Sequence, residues 1–243
     1  MPMASPSQPR FTDQINALRD GTARLDAAID IAVIDGGHDA FAAPALLPNW
    51  TVGHVVTHLA RNADGLRRVL VGAKVGEQLQ PYASPQARVD DIESGALRST
   101  ETIAADYRQA GSRLMEAIES LPHAVWQSTV DLGRGGPTTA DVILAARLGE
   151  VELHHHDLGV DNGLALLDDD HALLLLRALL RSYVRTRDVP PMRLQPTGAE
   201  LIVIGDGEQE IAGSAVDLVG WLSGRGDGSA LRTTGALPEL PSW

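Results

Sequence analysis

The chain has 243 residues, 44% of them apolar and 21% charged, the composition of a globular protein with one large core or two smaller ones. Its formal net charge is −12, and with no basic run to neutralise phosphates, nucleic acid is excluded as a main partner. There is no cysteine, which excludes a disulfide scaffold, a thiolate metal site and a cysteine nucleophile, and fits a reducing cytoplasm.

Residues 1–9 read as a flexible tail with neither a signal core nor a transit pattern. No window reaches the roughly 18 apolar residues of a membrane span, so a cytoplasmic protein with no membrane partner is expected. From Thr12, the spacing of Ile15, Leu18, Leu25, Ile29 and Val33 predicts a helix that Gly36-Gly37 ends. Residues 37–49 read as a loop. Thr51 caps a second helix, whose buried side is marked by Val52, Val55, Val56, Leu59, Ala63, Leu66 and Leu70. Ser84-Pro85 starts a short third helix. A further helix runs from Ser99 or Thr100 to about Leu121, with Ile103, Tyr107, Leu114 and Ile118 on one face. After a Gly-rich loop or hairpin tip (131–136), Thr138 or Thr139 is expected to cap a helix from about Ala140 to Asp157, with Gly159 closing it.

Beyond about Asn162 the pattern changes. A helix over Ala172–Val184 is followed by short strand-like runs at Met192–Gln195, Glu200–Ile204 and Glu210–Ala212, then a helix at Ala215–Ser223. The predicted fold class is α+β: a four-helix bundle over residues 10–162 and a small α/β domain over 163–243.

Chemistry concentrates on two helices. Glu150 and His154 lie four apart, as do His54 and His58, so each pair presents one helix face. Two His and one carboxylate make a catalytic zinc set with a coordination position left open, and bundle interiors commonly build metal sites from facing helices. Spacing alone leaves His54 and His58 both eligible. His155 and His156 point round the helix from His154 by roughly 100° and 200° and read as a partly exposed helix end. Glu152, roughly 160° from His154, reads as solvated. Arg88, at the start of the third helix, suits an anion or an ordinary surface position. Arg225 lies in Gly224-Arg-Gly-Asp-Gly228, where the glycines allow close approach of backbone to ligand.

Five segments, Asn49–Ala63, Tyr82–Arg88, Gly149–Gly159, Gly224–Gly228 and Leu237–Trp243, together resemble the mycothiol-dependent maleylpyruvate isomerases, within the larger group of DinB-like, metal-binding four-helix proteins. The resemblance covers nearly the whole chain. It implies His58, Glu150 and His154 as ligands of zinc or another divalent metal, and so favours His58 over His54. It implies Arg88 and Arg225 as active-site residues that bind mycothiol or substrate and stabilise developing charge. The implied reaction is isomerisation of maleylpyruvate to fumarylpyruvate by reversible addition of mycothiol, an external thiol that suits a chain without cysteine. The implied partners are a small dicarboxylate-type substrate and a low-molecular-weight thiol, acting on a monomer or small homo-oligomer. The rival readings are a mycothiol S-transferase using the same site on another electrophile, and a non-catalytic metal-binding stress-response module.

Overall fold

The computed structural model describes residues 11–161 and 163–241. The predicted N-terminal tail, residue 162 at the expected domain boundary and Ser242-Trp243 lie outside the described residues. Seven α-helices are present among them: α1 (Phe11–Gly36), α2 (Val52–Val75), α3 (Pro85–Ala96), α4 (Thr100–Glu119), α5 (Val142–Asp157), α6 (Asp169–Thr186) and α7 (Ala215–Ser223). A two-stranded antiparallel hairpin, β1 (Thr129–Val130) with β2 (Thr138–Thr139), precedes α5. A four-stranded mixed sheet follows α6, in the order β4 (Ile202–Ile204), β3 (Met192–Pro196), β5 (Glu210–Gly213), β6 (Arg232–Thr233).

The bundle consists of α1, α2, α4 and α5, with α2 packed on α4 and α1 on α5. Every residue of the predicted α2 stripe is buried, as are Leu18, Leu25 and Ile29 of α1 and Ile103, Tyr107, Leu114 and Ile118 of α4. The 3.6-residue period therefore faces one shared core, where each such Leu or Ile contributes roughly 1.5–3 kcal/mol. A second apolar cluster joins α6, α7 and the sheet to the back of the bundle through Ala17, Ala145, Leu148 and Leu153. Strand β3 alternates Met192 and Leu194 inward, the two-residue period of a sheet with one covered face.

The helix starts follow capping chemistry. The Ser84 and Ser99 side chains accept from Ala87 N and Thr102 N, and Pro85 occupies the first turn of α3. Thr51 forms a capping box with His54: Thr51 Oγ1 accepts from His54 N, and His54 Nδ1 accepts from Thr51 N at 3.1 Å. Gly159, expected to close α5, has φ of 71° just past its C-cap.

Two local expectations are corrected. Thr138 and Thr139 do not cap α5; they pair with Val130 and Thr129, and the helix begins at Val142 after Asp141. These β-branched residues join the hairpin ladder, and Thr139 Oγ1 donates instead to Asp141 Oδ1. Residues 37–42, read as loop, form a 3₁₀ turn that buries Phe41 against the bundle. No helix among the described residues is long and apolar enough to cross a membrane.

Candidate metal centre

Helices α2 and α5 pack side by side and bring His58, Glu150 and His154 to one point. One ligand atom from each lies within 4.8 Å of the other two. His58 Nε2 is 2.8 Å from Glu150 Oε2, and His154 Nε2 is 3.3 Å from the same oxygen. The two imidazole rings stand edge to face, 4.8 Å between centroids. His54 is not part of this group. Its Nδ1 is engaged in the α2 cap and its Nε2 lies 3.5 Å from Glu93.

The electrostatics suit a cation. Burial pushes His58 down toward the neutral imidazole, against the pull of Glu150. Burial alone would raise the Glu150 carboxyl, but the two histidines beside it outweigh that and hold it well below the usual carboxylate range. His154 is pushed down by burial but raised overall by hydrogen bonds to Asp157 and Glu150. A metal must displace protons here, so its affinity falls as pH falls.

Asp157, one turn after His154, joins the site as a residue the family resemblance does not imply. His154 Nδ1 is 2.8 Å from Asp157 Oδ2, which directs Nε2 toward Glu150. The carboxylate in turn accepts from Arg225, Nε to Oδ1 at 3.1 Å and Nη2 to Oδ2 at 2.6 Å, while Arg225 Nη1 donates to Ser223 O. Burial raises Asp157, but these His154 and Arg225 contacts bring it below its ordinary value. The i, i+3 spacing from His154 was a usable signal for Asp157; the ion pair with Arg225, which joins residues distant in sequence, was not.

A cleft of about 1270 Å³ opens on the trio. His58, Glu150 and His154 line it together with Arg88 of α3 and Arg225 of the loop after α7, so all five sequence-predicted site residues share one cavity. Arg88 Nη2 donates to His58 Nδ1 at 3.2 Å, and its guanidinium stands 5.8 Å from the centre of the Tyr82 ring. Trp50 forms another wall, edge to face with His58 at 5.6 Å.

The neighbours of the trio separate sharply. His156 is partly exposed, as expected, and lines the cleft, whereas His155 is buried and bonds Asp161 through Nε2 at 3.0 Å, contrary to the partly exposed helix end expected for it. Glu152 is not solvated: it is 1% exposed, and its Oε1 lies 2.7 Å from both Arg24 Nη2 and His171 Nε2. It does point away from the cleft, as the roughly 160° offset requires, but α1 and α6 cover that side of α5.

Two solved structures share this fold: the crystal structure of the mycothiol-dependent maleylpyruvate isomerase, and that of a histidine-to-alanine mutant of it. Each is 23% identical over 97% of this chain and 98% of that chain, with a TM-score of 0.79. No curated protein sequence matches the chain. Residues 18–159, more than half of the chain and containing His58, Glu150 and His154, match the family described as the mycothiol maleylpyruvate isomerase N-terminal domain. The chain belongs to the mycothiol maleylpyruvate isomerase family.

Proposed function

We propose that this protein is a metal- and mycothiol-dependent cis–trans isomerase converting maleylpyruvate to fumarylpyruvate. The observation that carries the reading is the His58–Glu150–His154 group opening on a cleft that also holds Arg88 and Arg225. Two imidazoles and one carboxylate match a catalytic zinc set, and the carboxylate is held ionised by its neighbours. When bound there, the ion lowers the pKa of a thiol at its open position.

The chain's own residues do the rest. Asp157 fixes the ring of His154, and Arg225 fixes Asp157. Arg88 and the remaining N–H groups of Arg225 face a substrate with two carboxylates, matching it in charge and fork geometry. Addition of the mycothiol sulfur to the cis double bond leaves a rotatable single bond. Expulsion of the same sulfur restores the double bond as trans, so the thiol is not consumed. The same arginines stabilise the enolate charge that develops on addition, a contribution of a few kcal/mol. A cytoplasmic setting fits a cysteine-free chain that uses an external thiol. The division into domains at residues 162/163 is proposed on the two apolar clusters, one within the bundle and one around α6, α7 and the sheet.

The test is turnover of maleylpyruvate by zinc-loaded protein, with mycothiol and then glutathione as thiol. The expected result is conversion of the cis to the trans chromophore with mycothiol, without loss of thiol. Absence of conversion sinks the isomerase reading, and accumulation of a stable thioether with loss of thiol replaces it with an S-transferase. A second expectation concerns Asp157→Asn. It should weaken zinc binding by about 10- to 100-fold, because His154 loses its ionised orienting partner. Competition against a chromophoric chelator measures this, and unchanged affinity would remove Asp157 from the site.

A further inference from the structure

Asn62 lies one turn after His58 on α2, so the two side chains stand next to each other, and both line the cleft. An asparagine amide has one end that accepts and one that donates, and which end faces the cleft decides what it can bind. Arg147 settles this. It sits on α5 one turn before Glu150, is only 2% exposed, and carries donors alone. Its Nη1 donates to Leu59 O at 2.9 Å and to Asn62 Oδ1 at 2.8 Å. The amide oxygen is therefore turned to the buried guanidinium, and the NH2 group is turned away from it. Among the described residues no acceptor takes the Nδ2 hydrogens.

We propose that Asn62 is a ligand-binding residue, its NH2 group donating to a carboxylate or carbonyl oxygen of the electrophile, with Arg147 as the residue that positions it. This rests on the reading of the cleft as the site of a dicarboxylate-type substrate. It adds a neutral donor to the cleft that holds the two arginines, and a directional one, since a locked NH2 group donates to an oxygen from one side only.

The test uses maleate, a cis dicarboxylate, titrated calorimetrically into zinc-loaded protein. Asn62→Asp keeps an oxygen for Arg147 but replaces the cleft-facing donor with an acceptor. Maleate is expected to bind this variant about 10- to 100-fold more weakly than wild type, the range for a lost hydrogen bond to a charged group. In wild-type protein, which needs no substitution to report, the assigned side-chain ¹⁵N–H2 signal of Asn62 is expected to shift on adding maleate. Equal affinity in the two proteins, an Asn62 amide signal unmoved at saturation, or failure of maleate to bind wild type would each overturn the proposal. Turnover of maleylpyruvate by wild type decides the isomerase reading separately.

Discussion

Glu150→Ala is expected to leave a folded protein that no longer retains metal. Glu150 supplies the only carboxylate in the trio, and both imidazole Nε2 atoms converge on its Oε2. Without it, two neutral histidines remain, and neither charge neutralisation nor a third ligand is available to a divalent ion. The side chain is 27% exposed toward the cleft, so water can replace it and the bundle core is untouched. Zinc content measured on purified protein should drop from about one ion per chain to near zero. Thiol-dependent turnover should fall by on the order of 10³-fold, since Lewis-acid stabilisation is worth several kcal/mol and about 1.4 kcal/mol is tenfold in rate. Full zinc content in the folded variant would show that the ion is held elsewhere.

Glu152→Ala, two residues on, is expected to do the opposite: spare the metal and destabilise the fold. The Glu152 carboxylate is sealed between three helices, accepting from Arg24 of α1 and facing His171 of α6. Gly21 of α1 belongs to the same arrangement, since a Cβ there would come within 2.2 Å of Glu152 Oε1. Removing one partner of a buried charge pair costs about 3–5 kcal/mol, because the other is left desolvated without compensation. The Arg24 side chain is 27% exposed and can recover some hydration, which puts the expectation near 3 kcal/mol. Urea denaturation of the two proteins measures it, with zinc content as the control. A loss under about 1 kcal/mol would mean that the triad is balanced by its own desolvation.

These neighbouring glutamates show where sequence reasoning holds and where it stops. Their opposite directions follow from helical geometry, and the offset was read correctly. What covers the far side was not readable. A glutamate turned from the site looks solvated until α1 and α6 are known to close over it. The same holds for His155, whose partner Asp161 lies beyond the end of the helix.

Most of the secondary structure was legible because it rests on local rules: capping serines, prolines in first turns, and apolar residues at helical spacing. The start of α5 was misread because Thr138 and Thr139 serve equally well as caps or as strand residues, and pairing with β1 decided it. The sequence by itself determined that Glu150 shares a helix face with His154, and His54 with His58, and that any thiol must be external. The tertiary structure decided what spacing left open: His58, which the family resemblance favoured, joins the group while His54 closes a cap, Arg225 reaches the site through Asp157, and Arg147 orients Asn62. Periodicity fixes the angle between side chains on one helix, whereas the partner across the interface depends on packing between segments far apart in the chain.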